Sequence, residues 1–417
     1  MHARSRCASS RGDLLRGAIA IAAAMIPGRA LAQPSAPDPA APSPAPTATA
    51  EPPADDAGAP ATPAVPAAPP PERPVPVAEP RFAWAPFGYL RVQYIAVQND
   101  PNVAFVGRDD GFELQNARLG VRGTLDHRVA FVLAFDGAVD ERLQINTPDG
   151  KLKVGLRDAF ADVALTGPLA VRAGFFHALV DPEALVPDTS RALVDEPIES
   201  RGMRATEGFE TVGLTPGRTL GAAIRIDPES PADGVRLGFE LAVQNGADEF
   251  SSNNDNDKPA VSATVLARLP HDSWAMIAGR YNPRSLGNLP FRQDEDDLQG
   301  TAGLHLALGP VALGGGVIAQ RTTYATTDGP AQTAFGGHGQ VMVALPTPLP
   351  VAIGYRFGIL DPSSLITTDR VMEHTVGAVL DMRHFRMRIQ LQLTHVVEQA
   401  ARELANDRAQ LAAELSL

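Results

Sequence analysis

From Pro86 onward the chain runs in segments of about ten residues in which apolar and polar positions alternate, the pattern of strands with one apolar face. Val235–Gln244 shows it most cleanly. Val235, Leu237, Phe239, Leu241 and Val243 share one side, and Arg236, Gly238, Glu240, Ala242 and Gln244 share the other. Phe385–Thr394 repeats it, with Phe385, Met387, Ile389, Leu391 and Leu393 opposite Arg386, Arg388, Gln390, Gln392 and Thr394.

The pattern predicts about sixteen strands, starting near residues 87, 112, 128, 156, 169, 218, 235, 260, 273, 300, 311, 335, 349, 371, 385 and 408. Short links alternate with longer polar ones: Leu125–His127, Thr166–Pro168, Asp227–Gly234, Pro270–Asp272, Gly309–Pro310, Pro346–Pro348 and Met382–His384. Turns on one rim and loops on the other describe an even-stranded outer-membrane barrel, with its short turns at the periplasmic side. A soluble β-sandwich also alternates, but only a closed barrel leaves no unpaired strand edge in lipid. The predicted class is therefore all-β: a transmembrane antiparallel β-barrel over residues 86–417. Gln399–Leu415 is rich in Ala, Glu and Leu and also reads as a helix. At period two, Ala409, Leu411, Ala413, Leu415 and Leu417 form a lipid face, and a closing strand is the preferred reading.

Two segments precede the barrel. In residues 1–32, Arg4, Arg6, Arg11 and Arg16 lead the apolar run Gly17–Ile26, and Ala30-Leu31-Ala32 fits the small-residue cleavage rule of a signal peptide. Residues 33–80 are mostly Pro and Ala, too poor in large apolar side chains to build a core, and read as a disordered linker in the periplasm. No later run reaches the ~20 apolar residues of a membrane-spanning helix. The mean hydropathy of −0.07 is what a wall apolar on alternate residues produces.

Charge and cysteine content narrow the chemistry. The formal charge is −12, and because the signal segment carries five Arg against Asp13, the remainder carries −16, which disfavours nucleic acid as a partner. Cys7, the one cysteine, falls in the signal segment, so the mature chain has no thiol for disulfides, Cys–zinc sites or catalysis. The histidines are scattered singly, and no catalytic constellation, metal site or cofactor is predicted. Gly314-Gly315-Gly316 and Gly336-Gly337 have no following helix, so they read as strand glycines that relieve crowding or bend the wall. The acidic runs Asp255–Asp257 and Asp294–Asp297 read as solvated loop residues.

With the apolar face of each strand turned to lipid, the opposite face carries Arg91, Arg118, Arg122, Arg172, Arg225, Arg236, Arg268, Arg280, Arg356, Arg386 and Arg388, with Arg408 on the last strand. An arginine at the bilayer midplane costs roughly 2–4 kcal/mol, so this one-sided placement suits a barrel. These residues are the predicted channel lining and a candidate anion pathway. The opposing expectation is that they pair with lumen carboxylates such as Asp158, Asp162, Glu240 and Glu414. The longest connection, Ala178–Gly217, holds eight acids against three arginines. Folded inward it would narrow the lumen, with Asp181, Glu183, Arg191, Arg201 and Arg204 as constriction candidates; its acidity opposes anions.

Several stretches resemble the phosphate-selective porin O/P family. They are Phe112–Gly123, Arg157-Asp158-Ala159-Phe160, Arg172–Phe176, Gln244-Asn245-Gly246, Asn254–Pro259 and Met382–Leu393, occurring in the family's order. The resemblance implies a sixteen-stranded barrel, usually trimeric, passing small anions such as phosphate. Gln115-Asn116 stands where the family has paired arginines, and lysine occurs only at Lys151, Lys153 and Lys258, so the fold carries over and the phosphate specificity does not. The expected function is a water-filled outer-membrane channel for passive diffusion of small hydrophilic solutes, possessed of an anion preference. Its expected partners are outer-membrane lipid, lipopolysaccharide, small hydrophilic or anionic solutes, and two further copies in a homotrimer. The alternative is a non-conducting structural or adhesive barrel with a filled lumen.

Overall fold

The computed structural model describes residues 81–107, 110–138, 154–246, 254, 256–286, 292–324, 330–399 and 403–417. The predicted signal segment and linker lie outside them, as does Asp255 of the first acidic run.

Sixteen antiparallel strands close into one barrel: β1 (Phe82–Val97), β2 (Gly111–Leu125), β3 (Val129–Asp136), β4 (Gly155–Thr166), β5 (Leu169–Phe176), β8 (Thr219–Ile226), β9 (Arg236–Asn245), β10 (Pro259–Arg268), β11 (Trp274–Leu286), β12 (Gln293–Leu308), β13 (Val311–Tyr324), β14 (Gln332–Ala344), β15 (Val351–Asp361), β16 (Val371–Met382), β17 (Met387–Glu398) and β18 (Arg408–Ser416). The two-residue strands β6 (Gly202–Met203) and β7 (Thr211–Val212) pair with each other in the connection between β5 and β8. Every barrel strand pairs with its chain neighbours, and β18 pairs with β1 from Tyr89↔Ser416 to Val97↔Arg408, so no edge is left. The terminal segment is thus the closing strand and not a helix.

Strand phase follows the sequence pattern. On β9 Leu237, Phe239, Leu241 and Val243 face outward and are exposed, while Glu240, Ala242 and Gln244 turn inward and are buried. Tight turns occupy the short rim. Asp126 and His127, and likewise His271 and Asp272, both take positive φ, the backbone hand that matches the strand twist across a two-residue turn. Among the described strand residues Arg321 is an arginine on the outward face, opposite Leu298, and it lies three residues from the long-loop end of β13.

Three boundaries differ from the sequence reading. β1 begins at Phe82, ahead of Pro86. The acidic run Asp294–Asp297 lies within β12, not in a loop, because β11 and β12 stay paired from Trp274↔His305 out to Leu286↔Gln293. There Arg284 meets Glu295 at 3.2 Å and Asp297 at 2.8 Å. Arg386 is not on the channel wall: Arg383–Phe385 form a 3₁₀ turn, Arg386 follows with φ 51°, and β17 starts one residue later.

Candidate functional site: the lumen and its inward loop

Among the described residues, three of the four buried apolar clusters lie between the wall and the connection Ala178–Gly217, and the fourth joins Ile95 and Val97 of β1 to Val106 and Leu404 of the long-rim loops. Ile198, Met203 and Leu214 of the connection pack with Ile318, Ala334, Leu360, Val371 and Val396 of the strands. Ala178 and Val180 pack with Phe176, Ala223 and Ala242. The loop therefore folds into the lumen.

A row of inward-facing glycines makes room for it. A Cβ added at Gly303 or Gly316 would stand 2.4 or 3.1 Å from Pro182, one at Gly336 2.3 Å from the Cβ of Glu199, one at Gly358 3.1 Å from Ile198, and one at Gly377 2.5 Å from Leu193. The loop lies where side chains on β12, β13, β14, β15 and β16 would otherwise project. This is the crowding that the sequence pattern assigns to strand glycines, and its source is the loop.

Polar side chains of the wall hold the loop along its length. Glu240 accepts from Leu179 N at 2.7 Å, and the Gln392 amide oxygen accepts from Val194 N at 2.9 Å. Arg356 donates to the carbonyls of Asp195 and Glu196 at 2.9 and 3.2 Å, and Gln410 donates to the Asp195 carboxylate at 2.9 Å. Arg388 donates to the carbonyls of Thr189 and Arg191. His338 on β14 contacts the Glu199 carboxylate through Nδ1.

Beyond the helical turn Ile198–Arg201, four charges close a buried ring. Arg201 meets Glu207 and Glu373 at 2.7 Å each, and Arg408 meets Glu373 at 2.7 Å and Glu207 at 3.3 Å. Burial alone would raise the Glu207 carboxyl, but Arg201 and Arg408 hold it well below its usual range. At the other end of the loop, Asp181 accepts from Glu183 N at 2.9 Å and from the Thr215 hydroxyl, joining the two stems. Burial and the neighbouring Glu183 push Asp181 up to about 7.

Asp188 sits at the loop's edge beside β1 and β2. It pairs with Arg118 at 2.7 Å and Arg191 at 2.8 Å, and accepts from the Tyr89 hydroxyl at 3.0 Å. Burial would raise it, yet Arg191, Arg118, Arg157 and Arg218 together hold it well below the ordinary carboxylate range. Arg191 reaches Glu196 at 2.7 Å and Glu183 at 3.4 Å as well.

Of the arginines predicted to line the channel, Arg91 and Arg356 are buried beneath the loop. Arg91 is only 1% exposed, with Nε donating to Glu414 at 2.9 Å and Nη2 to the Asp188 carbonyl at 2.7 Å. Arg388 is held by the loop carbonyls. Arg225 and Arg268 both bind Asp227 near the short-turn rim, at 2.7 and 3.0 Å, and Arg236 is exposed at the start of β9. Arg122 is exposed and lies 5.6 Å from the Phe87 ring centroid. Arg280 is half-buried on the inner face of β11. Solvent reaches the wall between β2 and β8: the Arg172 side chain is 14% exposed and bonds Asp162 at 2.7 Å, and Arg218, 22% exposed, bonds Asp158 at 2.9 Å. Of the constriction candidates, Asp181 and Arg201 are buried anchors, Glu183 and Arg191 lie at the loop's edge, and Arg204 meets Glu113 at 3.5 Å.

Sequence phase missed Arg157, because a β-bulge between β3 and β4 skips it (Ala134↔Asp158, then Phe135↔Leu156). It stands within electrostatic reach of Asp188 and Arg218. Asp188, Arg218, Glu199 and His338 were also not singled out; their roles depend on which way the loop folds.

A closed sixteen-stranded barrel narrowed by an inward loop after its fifth strand is the fold of the outer-membrane porins. The model of the family phosphate-selective porin O and P matches residues 89–189, from β1 into the inward loop. Solved structures share the fold at low identity. The anion-selective porin from Comamonas acidovorans has a TM-score of 0.56 and 14% identity over 81% of this chain and 100% of that one. The outer membrane channel DcaP of Acinetobacter baumannii gives 0.55 and 12%, covering 81% and 97%. In vitro folded OmpT, an outer membrane protein of Vibrio cholerae, gives 0.54 and 10%, covering 81% and 98%. No curated protein matches the chain in sequence.

Proposed function

We propose that this protein is an outer-membrane porin in which small hydrophilic solutes, anions in preference, diffuse between the inward loop and the wall formed by β2 to β8. The observation that carries the reading is the contrast in solvent access across the lumen. Arg91 and Arg408 on the β1/β18 side are 1% exposed and sealed by the loop, whereas the Arg172 and Arg218 side chains on the other side keep partial exposure, 14% and 22%. Guanidinium on that partly exposed face is permanently charged and weakly hydrated, which suits transient contact with anions. Arg118, Arg157, Arg172 and Arg218 are the assigned pathway, in place of the longer set of inward arginines. Their pairing with Asp158, Asp162 and Asp188 makes the preference mild, a row of partly neutralised sites from which an ion can leave. The reading is of a channel and not of an enzyme.

The trimer form reported for OmpT of Vibrio cholerae supports a homotrimer here, set among outer-membrane lipid and lipopolysaccharide. Residues 33–80 would then occupy the periplasm behind a cleaved signal segment, since the chain enters β1 at the short-turn rim.

The second reading is a plugged, non-conducting barrel, and the wall contacts of the loop from β9 round to β2 favour it. Planar-bilayer recording of the purified protein in a salt gradient decides. Discrete channel events with an anion-directed reversal potential support the porin; absence of events at any protein concentration supports the plug. Arg157→Gln and Arg218→Gln should lower the anion-to-cation permeability ratio, whereas Arg236→Gln at the rim should leave it unchanged.

A further inference from the structure

The outer face of the barrel carries a polar constellation that conduction does not use. His374 on β16 and His395 on β17 are direct cross-strand partners. Both point away from the lumen, because their neighbours Thr375 and Thr394 face it and are buried. Their rings are stacked with centroids 6.3 Å apart, and the His395 side chain is 59% exposed. Each ring is fixed from one side. Nδ1 of His395 donates to Asp407 Oδ1 at 2.7 Å, and that carboxylate is itself held by Val396 N at 3.1 Å. Nδ1 of His374 bonds the Tyr355 hydroxyl at 2.8 Å, and Phe357 packs against the same ring at 5.2 Å between centroids.

We propose that His374 and His395 form a surface site for one divalent transition-metal ion of the kind imidazole favours, zinc or copper, near the long-loop rim of the barrel. An Nδ1–H engaged by a carboxylate is the usual outer partner of a metal-bound histidine: it fixes the tautomer that leaves a lone pair on Nε2 and raises its basicity. A phenol oxygen can accept from Nδ1–H and serve His374 in the same way. Directly opposed residues on antiparallel strands have Cα atoms ~4.5–5.5 Å apart, so two imidazoles can reach one ion. The ring centroids stand 6.3 Å apart, so placing both Nε2 atoms about 2.1 Å from one ion requires the two rings to turn toward each other by side-chain rotation. Among the described residues no group of three or more His, Cys, Asp or Glu is arranged around a metal. The site thus supplies two ligands and leaves the remaining positions to water or to an oxygen from outside the chain.

A phosphate group is the competing occupant of an imidazole pair at this height, and the surrounding charge opposes it. Asp407 is an acid in direct contact with His395. The outward guanidinium of Arg370, four residues before His374, is bound twice to Asp361, at 3.0 and 2.9 Å. The proposal is independent of whether the barrel conducts.

The test uses the full mature chain, purified in detergent and titrated with Cu²⁺ and, separately, with Zn²⁺. The wild type is expected to take up one equivalent more of either ion than His374→Gln/His395→Gln, with two-nitrogen hyperfine structure in the copper spectrum that the double variant lacks. Either single variant should bind at least about tenfold more weakly, and Asp407→Asn about tenfold more weakly. Excess Mg²⁺ should not compete. Zn²⁺ should also protect His395 of the wild type from diethyl pyrocarbonate, a readout that needs no variant to fold. Equal uptake by wild type and double variant, displacement by Mg²⁺, absence of protection, or metal-free binding of anionic lipid vesicles that depends on the two histidines would each overturn the proposal.

Discussion

Arg118 and Tyr89 converge on a single carboxylate oxygen of Asp188, the guanidinium at 2.7 Å and the hydroxyl at 3.0 Å, and so pin the edge of the inward loop to β1 and β2. Asp188 is also the negative charge around which Arg191, Arg157 and Arg218 gather. It therefore both fastens the loop and offsets the basic wall.

Replacing it by Asn should unmask that wall. Asp188→Asn is expected to move the zero-current potential in a KCl gradient toward the chloride equilibrium potential, more at 0.1 M than at about 1 M salt, where screening shortens the reach of the arginines. A shift toward the potassium potential would refute the assignment of the pathway.

The buried ring of Arg201, Glu207, Arg408 and Glu373 should be the strongest anchor. Glu373→Gln removes one acid and leaves two guanidiniums under-paired, a change that costs about 3–5 kcal/mol in buried sites. The expected result is higher and noisier single-channel conductance together with a lower Tm; unchanged conductance would mean that the ring does not govern the loop.

Gly336 gives a steric test. A methyl group there would stand 2.3 Å from the Cβ of Glu199, and overpacking of this kind costs typically ~1–3 kcal/mol. Gly336→Ala should displace the helical turn Ile198–Arg201 and alter conductance. Gly339→Ala on the same strand, where an added Cβ meets nothing within 4 Å, should behave as wild type.

Asp181 predicts a pH effect. Its carboxyl is raised from 3.8 to about 7 in the folded loop, so the anchored form keeps a proton that a released stem gives up. Anchoring should be complete below about pH 4, weaken as the pH rises to 7, and level off above, because both forms are then ionised. Open-channel current noise should rise over that window in the wild type and stay flat in Asp181→Asn.

The barrel was legible because lipid imposes period two on every strand and alternate rims impose unequal connections; both survive in one sequence without any knowledge of pairing. The start of β12 was not, since it carries Asp294, Glu295, Asp296 and Asp297 where a strand pattern expects alternate apolar residues. The inward arginines were placed by parity, and parity cannot report depth of burial: Arg91 and Arg172 read alike, yet one is sealed beneath the loop and the other is partly exposed. Arg157 escaped because a bulge changes phase without a residue signature. The direction of Ala178–Gly217 was encoded, but in the wall: glycines spaced over β12 to β16 have no common periodicity along the chain and become a row only when the strands are laid side by side.

That row has a further consequence for how such a pore can change. Wall and loop are a mould and its cast, so the bore is set by side chains that are missing as much as by those present. Cutting the loop away would leave a bare furrow bordered by Arg356, stripped of the carbonyls of Asp195 and Glu196 that now receive it, and by Arg408, left with Glu373 once Glu207 has gone. A wider opening would thus arrive together with newly uncovered positive charge, and size and selectivity would shift as one property.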